Sequence, residues 1–324
     1  MKQMFFHQYQ RYQSAKWVID TLRTKPKLRI LEVGSGSHAN LAQFLPQDDL
    51  TFSDIVLTDE ALQDPRFVPA DVRELPFEDD SFDFVISLDM LEHIPDELRA
   101  SALASMLRVA RQAVFLSFPH ATMTASRNDA ILAAQYEVLG IQAPLWVYEH
   151  CEHSLPTALR CISDLPEHFS KEKVVSFSAA NTNLIRKMLQ LESMHVKFPQ
   201  LRSFFGAIND YYVTHLAAYD MCGDGGEQEN AKTCMVLCKQ ISPEVVREKL
   251  VIEDGEKSSA NQELIDEIDG FLACYFPILI QPAEEETKVE QIPIQSAGKE
   301  TKREQRHILS ALKHRILSLF SQSR

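Results

Sequence analysis

The sequence predicts an α/β protein: a mostly parallel seven-stranded sheet with helices on both faces, a helical insertion and a C-terminal helical appendage. Three observations carry this. Short apolar runs of strand length recur between helical patterns through the first 240 residues. The first run, Leu28, Ile30, Leu31 and Val33, drives into Gly34-Ser35-Gly36 and then a helical spacing, Leu41, Phe44, Leu45. About twenty residues beyond Gly34, a second apolar run ends in Asp54, where a nucleotide-binding unit places a carboxylate for ribose hydroxyls.

Residues 8 to 23 mix Tyr9, Tyr12, Trp17, Val18 and Leu22 at roughly helical spacing. They predict a helix on the sheet edge, with the alternative that an aromatic here lids the ligand. Pro26 breaks that helix before the first strand. Gly34 and Gly36, lacking Cβ, let the backbone bend and approach a ligand closely, and the start of the next helix would offer free N–H groups. The second strand is Leu50-Thr51-Phe52, followed by Asp54, and Asp59 is the competing carboxylate. A third runs from Phe67 to Ala70, before Asp71 and Val72. A fourth lies in Ser81 to Ser87, then Leu88-Asp89-Met90-Leu91-Glu92-His93-Ile94-Pro95. Pro95 with Asp96 and Glu97 opens a helix whose buried face is Leu103, Met106, Leu107 and Ala110. Ala113 to Phe118 is the fifth strand, with Pro119 and His120 at its carboxyl end, outside which ligands of open α/β sheets bind.

Glu32 to Gly36, Asp54, Asp71 and the phrase from Phe82 to Pro95 together resemble a class I S-adenosylmethionine-dependent methyltransferase of the type 11-like kind, strongly over residues 25 to 120. The fold this implies is Rossmann-like, and the cofactor is S-adenosylmethionine. By resemblance, Glu32 holds the methionine amino group, Asp54 the ribose, and Asp71 and Val72 the adenine. Gly34 and Gly36 form the cofactor turn, and Leu88, Asp89 and Met90 line the methyl-donor pocket. The family pattern's third glycine is here His38. The Glu92-His93 pair reads by the same resemblance as structural more than catalytic.

Beyond His120, a helix is expected over Asn128 to Leu139. The stretch Val147-Tyr148-Glu149-His150-Cys151-Glu152-His153-Ser154-Leu155-Pro156 resembles a bacterial subgroup with a Glu-His-x-x-x-Gly-Leu-Pro phrase, Ser154 replacing the glycine. His150 and His153, with His120, are the candidate general bases, because imidazole titrates near neutrality. A loop that only shapes the acceptor pocket is the competing reading. The spacing of His150, Cys151, His153 and Cys161 fits no standard zinc set, so no metal is expected. Lys173 to Ser178 and Thr233 to Lys239 are the sixth and seventh strands. Between them, two amphipathic helices are expected, one over Leu184 to Leu191 and an aromatic-rich one over Phe204 to Tyr219.

The expected organisation is a methyltransferase domain over 1–241 with acceptor-binding insertions at about 121–172 and 181–230. A linker and short helix over 242–282 follow, then a linker and basic amphipathic helix over 283–324. That last helix, its stripe Leu309, Leu312, Ile316 and Leu319 flanked by Lys302, Arg303, Arg306, Lys313 and Arg315, would self-associate, touch a membrane surface or bind a partner through 305–320.

The chain has 324 residues, 45% of them hydrophobic, enough for a sizeable core. Its 33 Lys and Arg stand against 46 Asp and Glu, a formal net charge of -13, which disfavours nucleic acid as substrate. The six cysteines form no Cys-x-x-Cys pair, and no segment reads as a secretory signal or membrane span, so a cytoplasmic location is expected. With no Asn-Pro-Pro-Tyr or Asp-Pro-Pro-Tyr phrase, the acceptor implied is a small molecule or glycan, methylated at oxygen. The rival readings are a cofactor-binding scaffold or regulator without transferase activity, acting through its C-terminal helix, and a dehydrogenase. The phrase from Phe82 to Pro95 argues against the latter.

Overall fold

The computed structural model describes residues 4–119, 121, 123–152, 155–211, 213, 230–250, 266, 268 and 270. The chain divides into two units, 1–261 and 262–324, and almost all described residues belong to the first. The linker and basic helix expected over 283–324 lie outside the described residues. Among the described residues, no helix is long and apolar enough to cross a membrane.

Seven strands form one sheet: β1 (Arg29–Val33), β2 (Asp49–Asp54), β3 (Phe67–Pro69), β4 (Phe82–Leu88), β5 (Ala110–Pro119), β6 (Val174–Asn181) and β7 (Asn230–Cys238). Their order is β3-β2-β1-β4-β5-β7-β6. The first five are parallel, while β7 runs antiparallel to both β5 and β6. The predicted α/β, Rossmann-like architecture is the one observed.

Each central strand is apolar on both faces because helices cover both. Ile30, Phe52, Phe84, Ile86 and Phe115 point to one core, shared with α1 (Phe6–Leu22) through Ala15, Val18, Ile19 and Leu22. The alternate residues Leu31, Val33, Val85, Val114 and Leu116 meet Leu103, Met106 and Leu107 of α2 (Asp96–Val109) and Cys161 of α5 (Ala158–Asp164). The period of two along the strands thus divides the interior into two layers.

Two expectations change. The apolar spacing after the glycine turn forms a single 3-10 turn, Asn40–Gln43, not an α-helix. Pro46 closes the run before a second turn can form, so Leu41, Phe44 and Leu45 enter the core from an irregular segment. The core also does not end near Ile241. Residues read as polar linker form α8 (Pro243–Leu250), whose Val246 and Leu250 are buried in the first core. Arg247 and Lys249 face outward in its last turn, which is why the composition looked like a linker.

The two predicted insertions pack together. The first supplies α3 (Met123–Leu139) and α4 (Leu145–Glu152), the second α6 (Thr182–Lys197) and α7 (Arg202–Tyr211). Leu132, Tyr136, Ala143 and Val147 form their own cluster, against which Leu189 packs. Gln135 Nε2 donates to Ser193 Oγ at 2.6 Å and to the Gln190 carbonyl at 2.9 Å. At the far end of this layer, Asn209 of α7 pins the start of α1: its Oδ1 accepts from Phe6 N at 2.7 Å and its Nδ2 donates to the Met4 carbonyl at 3.0 Å.

Phe115 is fully buried on a central strand. Phe115→Ala is expected to lower unfolding stability by about 3–5 kcal/mol, read by urea titration. A loss under about 1 kcal/mol would mean this layer is not the close-packed core described.

Candidate functional site

The candidate site lies at the carboxyl ends of β1, β2 and β4. Gly34, directly after β1, has φ +73° and its amide donates to the Ser53 carbonyl of β2 at 2.8 Å. A Cβ on Gly34 would stand 2.4 Å from Met90 Cγ and 2.7 Å from Met90 Cβ, so the turn after β1 and the turn after β4 touch at a position only glycine fits. Gly36 also has positive φ, +57°, yet a Cβ there would meet nothing within 4 Å.

Asp54, last in β2, takes the Gly36 amide on Oδ2 at 2.8 Å and the Val56 amide on Oδ1 at 3.1 Å. Its carboxylate therefore locks the glycine turn, and being only half-buried keeps lone pairs for a further donor. Asp71 caps the 3-10 turn Val72–Glu74 by accepting from Arg73 N at 2.9 Å, and Arg73 also binds it through its guanidinium. That side-chain hydrogen bonding holds the Asp71 carboxyl below the usual range. Val72 is half-buried beside it. Leu88 is a core residue, 2% exposed. Asp59, the competing carboxylate, lies in an exposed stretch.

Glu32 is buried near the end of β1, and its Oε2 has no partner among the described residues. Burial pushes its carboxyl up to about 8; the Tyr12 hydrogen bond and Arg11 pull against this and Asp54 adds to it. Tyr12 also stacks on Phe44, ring centroids 5.7 Å apart.

Asp89, expected beside the cofactor, is the charged hub of the site. Its backbone sits at φ +50°, unusual for a non-glycine residue, with its amide held by the Ser117 carbonyl at 2.7 Å. Arg11 lies 2.8 Å from its Oδ2 and Lys232 Nζ 2.6 Å from the same atom. Burial opposes its ionisation, but Arg11 and Lys232 outweigh burial and hold its carboxyl well below the usual range. The 3-10 turn Leu91–His93 follows. It is anchored by buried Arg99, whose Nε donates to the carbonyls of Leu91 at 3.0 Å and Ile94 at 2.9 Å, on either side of Glu92 and His93. Glu92 is 1% exposed; burial and then Asp89 push its carboxyl well above the usual range. Burial lowers the His93 imidazole against the pull of Glu149, whose Oε2 lies 2.6 Å from His93 Nδ1.

His150, on α4, is brought to this cluster, its ring centroid 5.6 Å from that of His93. His120 and His153 lie outside the described residues. Cys161, weighed as a zinc ligand, is a core thiol that burial pushes up to about 12. Sequence reasoning did not single out Arg11, Arg99, Glu149 or Lys232. Only Tyr12 was in view, as one of the aromatics of the first helix.

Residues 31–118, from β1 to β5, match the family model described as a methyltransferase domain. The matched stretch carries the first five strands of the sheet. No curated protein matches the chain. Among solved structures, similar ones include the YcgJ protein of Bacillus subtilis, at 15% identity over 71% of this chain and 100% of that one, TM-score 0.39. Others are the Haemonchus contortus phosphoethanolamine N-methyltransferase 2, at 16% over 70% and 52%, TM-score 0.41, and the Synechocystis magnesium protoporphyrin IX methyltransferase, at 24% over 35% and 59%, TM-score 0.30. At such scores none of them bears on what this chain does.

Two measurements follow from the turn and from Glu32. Gly36→Ala is expected to cost about 1–2 kcal/mol for its left-handed backbone, and Gly34→Ala clearly more, because it adds the overlap with Met90; equal losses by chemical denaturation would contradict the close approach. Glu32 binds its proton more tightly folded than unfolded. Between about pH 5 and pH 8 the unfolded chain is ionised there while the folded one is not, so this residue lowers stability as pH rises through that window. Glu32→Gln is expected to flatten that fall in melting temperature; an unchanged slope would show that the carboxyl titrates normally.

Proposed function

We propose that this chain, whose residues 31–118 match the methyltransferase-domain model, transfers a methyl group from S-adenosylmethionine to a hydroxyl oxygen of a small-molecule or glycan acceptor. The observation that carries the reading is the glycine turn locked to Asp54 beside the unpartnered, buried Glu32 oxygen.

The residues present fit the cofactor. A protonated amino group needs a buried acceptor, and Glu32 Oε2 is one. A vicinal diol needs a fixed carboxylate with lone pairs to spare, and the two amides that hold Asp54 fix it without exhausting it. The backbone at Gly36 leaves room above it that a larger residue would fill. Asp71 and Val72 offer an acceptor and an apolar contact for adenine, although Arg73 already engages the carboxylate. Of the three donor-pocket residues, Met90 packs under Gly34 and Asp89 holds its two cations, which leaves them to shape the pocket more than to bind.

The cofactor supplies a methyl group on a sulfonium. What the protein must add is alignment of the acceptor, exclusion of water and, for a hydroxyl acceptor, a destination for its proton. The insertion helices α3, α4 and α6 support an acceptor-binding role by bringing His150 toward Glu92 and His93. His120, His150 and His153 are the proposed bases. The net charge of -13 and the absence of a described membrane span agree with a small uncharged or cationic acceptor and a cytoplasmic location.

Calorimetric titration of the purified chain with S-adenosylmethionine is expected to show one site. Asp54→Ala should weaken it at least about tenfold, the loss of a charge-assisted pair. NAD is expected not to bind. A folded protein that ignores S-adenosylmethionine would remove the transferase reading, and NAD binding in its place would make the site a redox one.

A further inference from the structure

The cluster of Glu92, His93 and His150 is placed to do more than move a proton. One ligand atom from each lies within 4.8 Å of the others. Two imidazoles and one carboxylate are the donor set of many open zinc sites, in which three protein ligands leave a position for water or substrate.

Two independent features point to a cation here. Glu92 is 1% exposed, and neither of its carboxylate oxygens is hydrogen-bonded to another described residue, an arrangement that costs free energy unless something else meets those oxygens. Behind His93, Glu149 Oε2 lies 2.6 Å from Nδ1, so coordination of a cation would fall to Nε2. A carboxylate holding the far nitrogen of a metal-binding histidine is a recurrent outer-shell arrangement that fixes tautomer and ring orientation. The backbone is prepared as well: Arg99 clamps the carbonyls on either side of Glu92 and His93, so both side chains leave a rigid turn.

We propose that Glu92, His93 and His150 form a binding site for a divalent transition cation of the zinc class, with Glu149 orienting His93. The three come from two parts of the chain 57 positions apart. Cys151 and His153, which follow His150 in sequence, are not required.

In the transferase reading above, on which this consequence rests but the site itself does not, the cation would bind the acceptor hydroxyl and lower its pKa. The hydroxyl proton then leaves to water, the oxygen lone pair forms the bond to the methyl carbon, and the carbon–sulfur pair returns to sulfur. With the cation bound, His150 is its ligand; the role of base proposed above applies to the cation-free site.

The test is metal uptake by the full-length chain without cofactor, so its failure is separate from failure of the transferase reading. After chelator treatment, titration with zinc and with cobalt(II) is expected to show one equivalent bound, cobalt with the visible absorption of a four- or five-coordinate site. His93→Gln and Glu92→Gln should each weaken uptake at least about tenfold. Glu149→Gln should weaken it by about 10- to 100-fold without unfolding the chain. His168→Ala, at an exposed histidine, should leave it unchanged. No uptake by the folded wild-type protein overturns the proposal. So does one equivalent that survives both Glu149→Gln and His93→Gln, which would place the ion elsewhere.

Discussion

An ionised carboxylate at the turn after the central strand organises the site. Asp89 is nearly out of solvent, and such a charge persists only if opposite charges meet it. Arg11 and Lys232 do so, both at hydrogen-bond distance from one oxygen. Arg11 comes from the first helix and Lys232 from the last strand, so one charge ties the chain's early and late elements to β4. The left-handed backbone at Asp89 is held by its own amide donating to the Ser117 carbonyl and by these two cations on its side chain. The turn that follows, with Glu92 and His93, inherits its position from that constraint and from Arg99.

The glycine turn depends on the same junction. Gly34 must be glycine because Met90, next to Asp89, occupies the volume where a Cβ would stand. The turn after β1 is thus shaped from two directions: from β2 by Asp54, which holds the Gly36 amide, and from β4 by Met90. Only a 3-10 turn lies between the glycines and β2, so no α-helix starts at the glycine turn. Fixed amides and buried carboxylates define its electrostatics instead. The space along the sheet that a helix after the glycine turn would cover is closed by α1, and α7 fixes the start of α1 through Asn209. The second insertion therefore also buttresses the helix that carries Arg11 and Tyr12.

Much of this was legible in the sequence, and the reason is local. Strand β1 with its glycines, β2 ending in Asp54 and the phrase after β4 each carry their signal within a dozen residues, through period-two apolar runs and through backbone positions that exclude a Cβ. The seven strands were all found for that reason. The helix after Gly36 was misread because the spacing of Leu41, Phe44 and Leu45 suits a helix and a buried 3-10 turn alike. The polar exterior of α8 hid its two core residues. The sequence marks Glu32 as a candidate site carboxylate by its place before the glycines, but nothing near it in sequence announces its burial beside Tyr12 and Arg11.

The sequence by itself determined the sheet, its glycine turn and the acidic residues that end its strands, because backbone geometry and strand burial are written in neighbouring residues. Only the tertiary structure decided which charges share a site. Lys232 reaches Asp89 because β7 runs antiparallel to β5, which brings the start of the last strand to the carboxyl edge of the others. Arg11 reaches it because α1 lies across that edge, and His150 meets His93 because two insertions pack on each other. Charge pairing of this kind depends on distance in space, which separation along the chain does not encode.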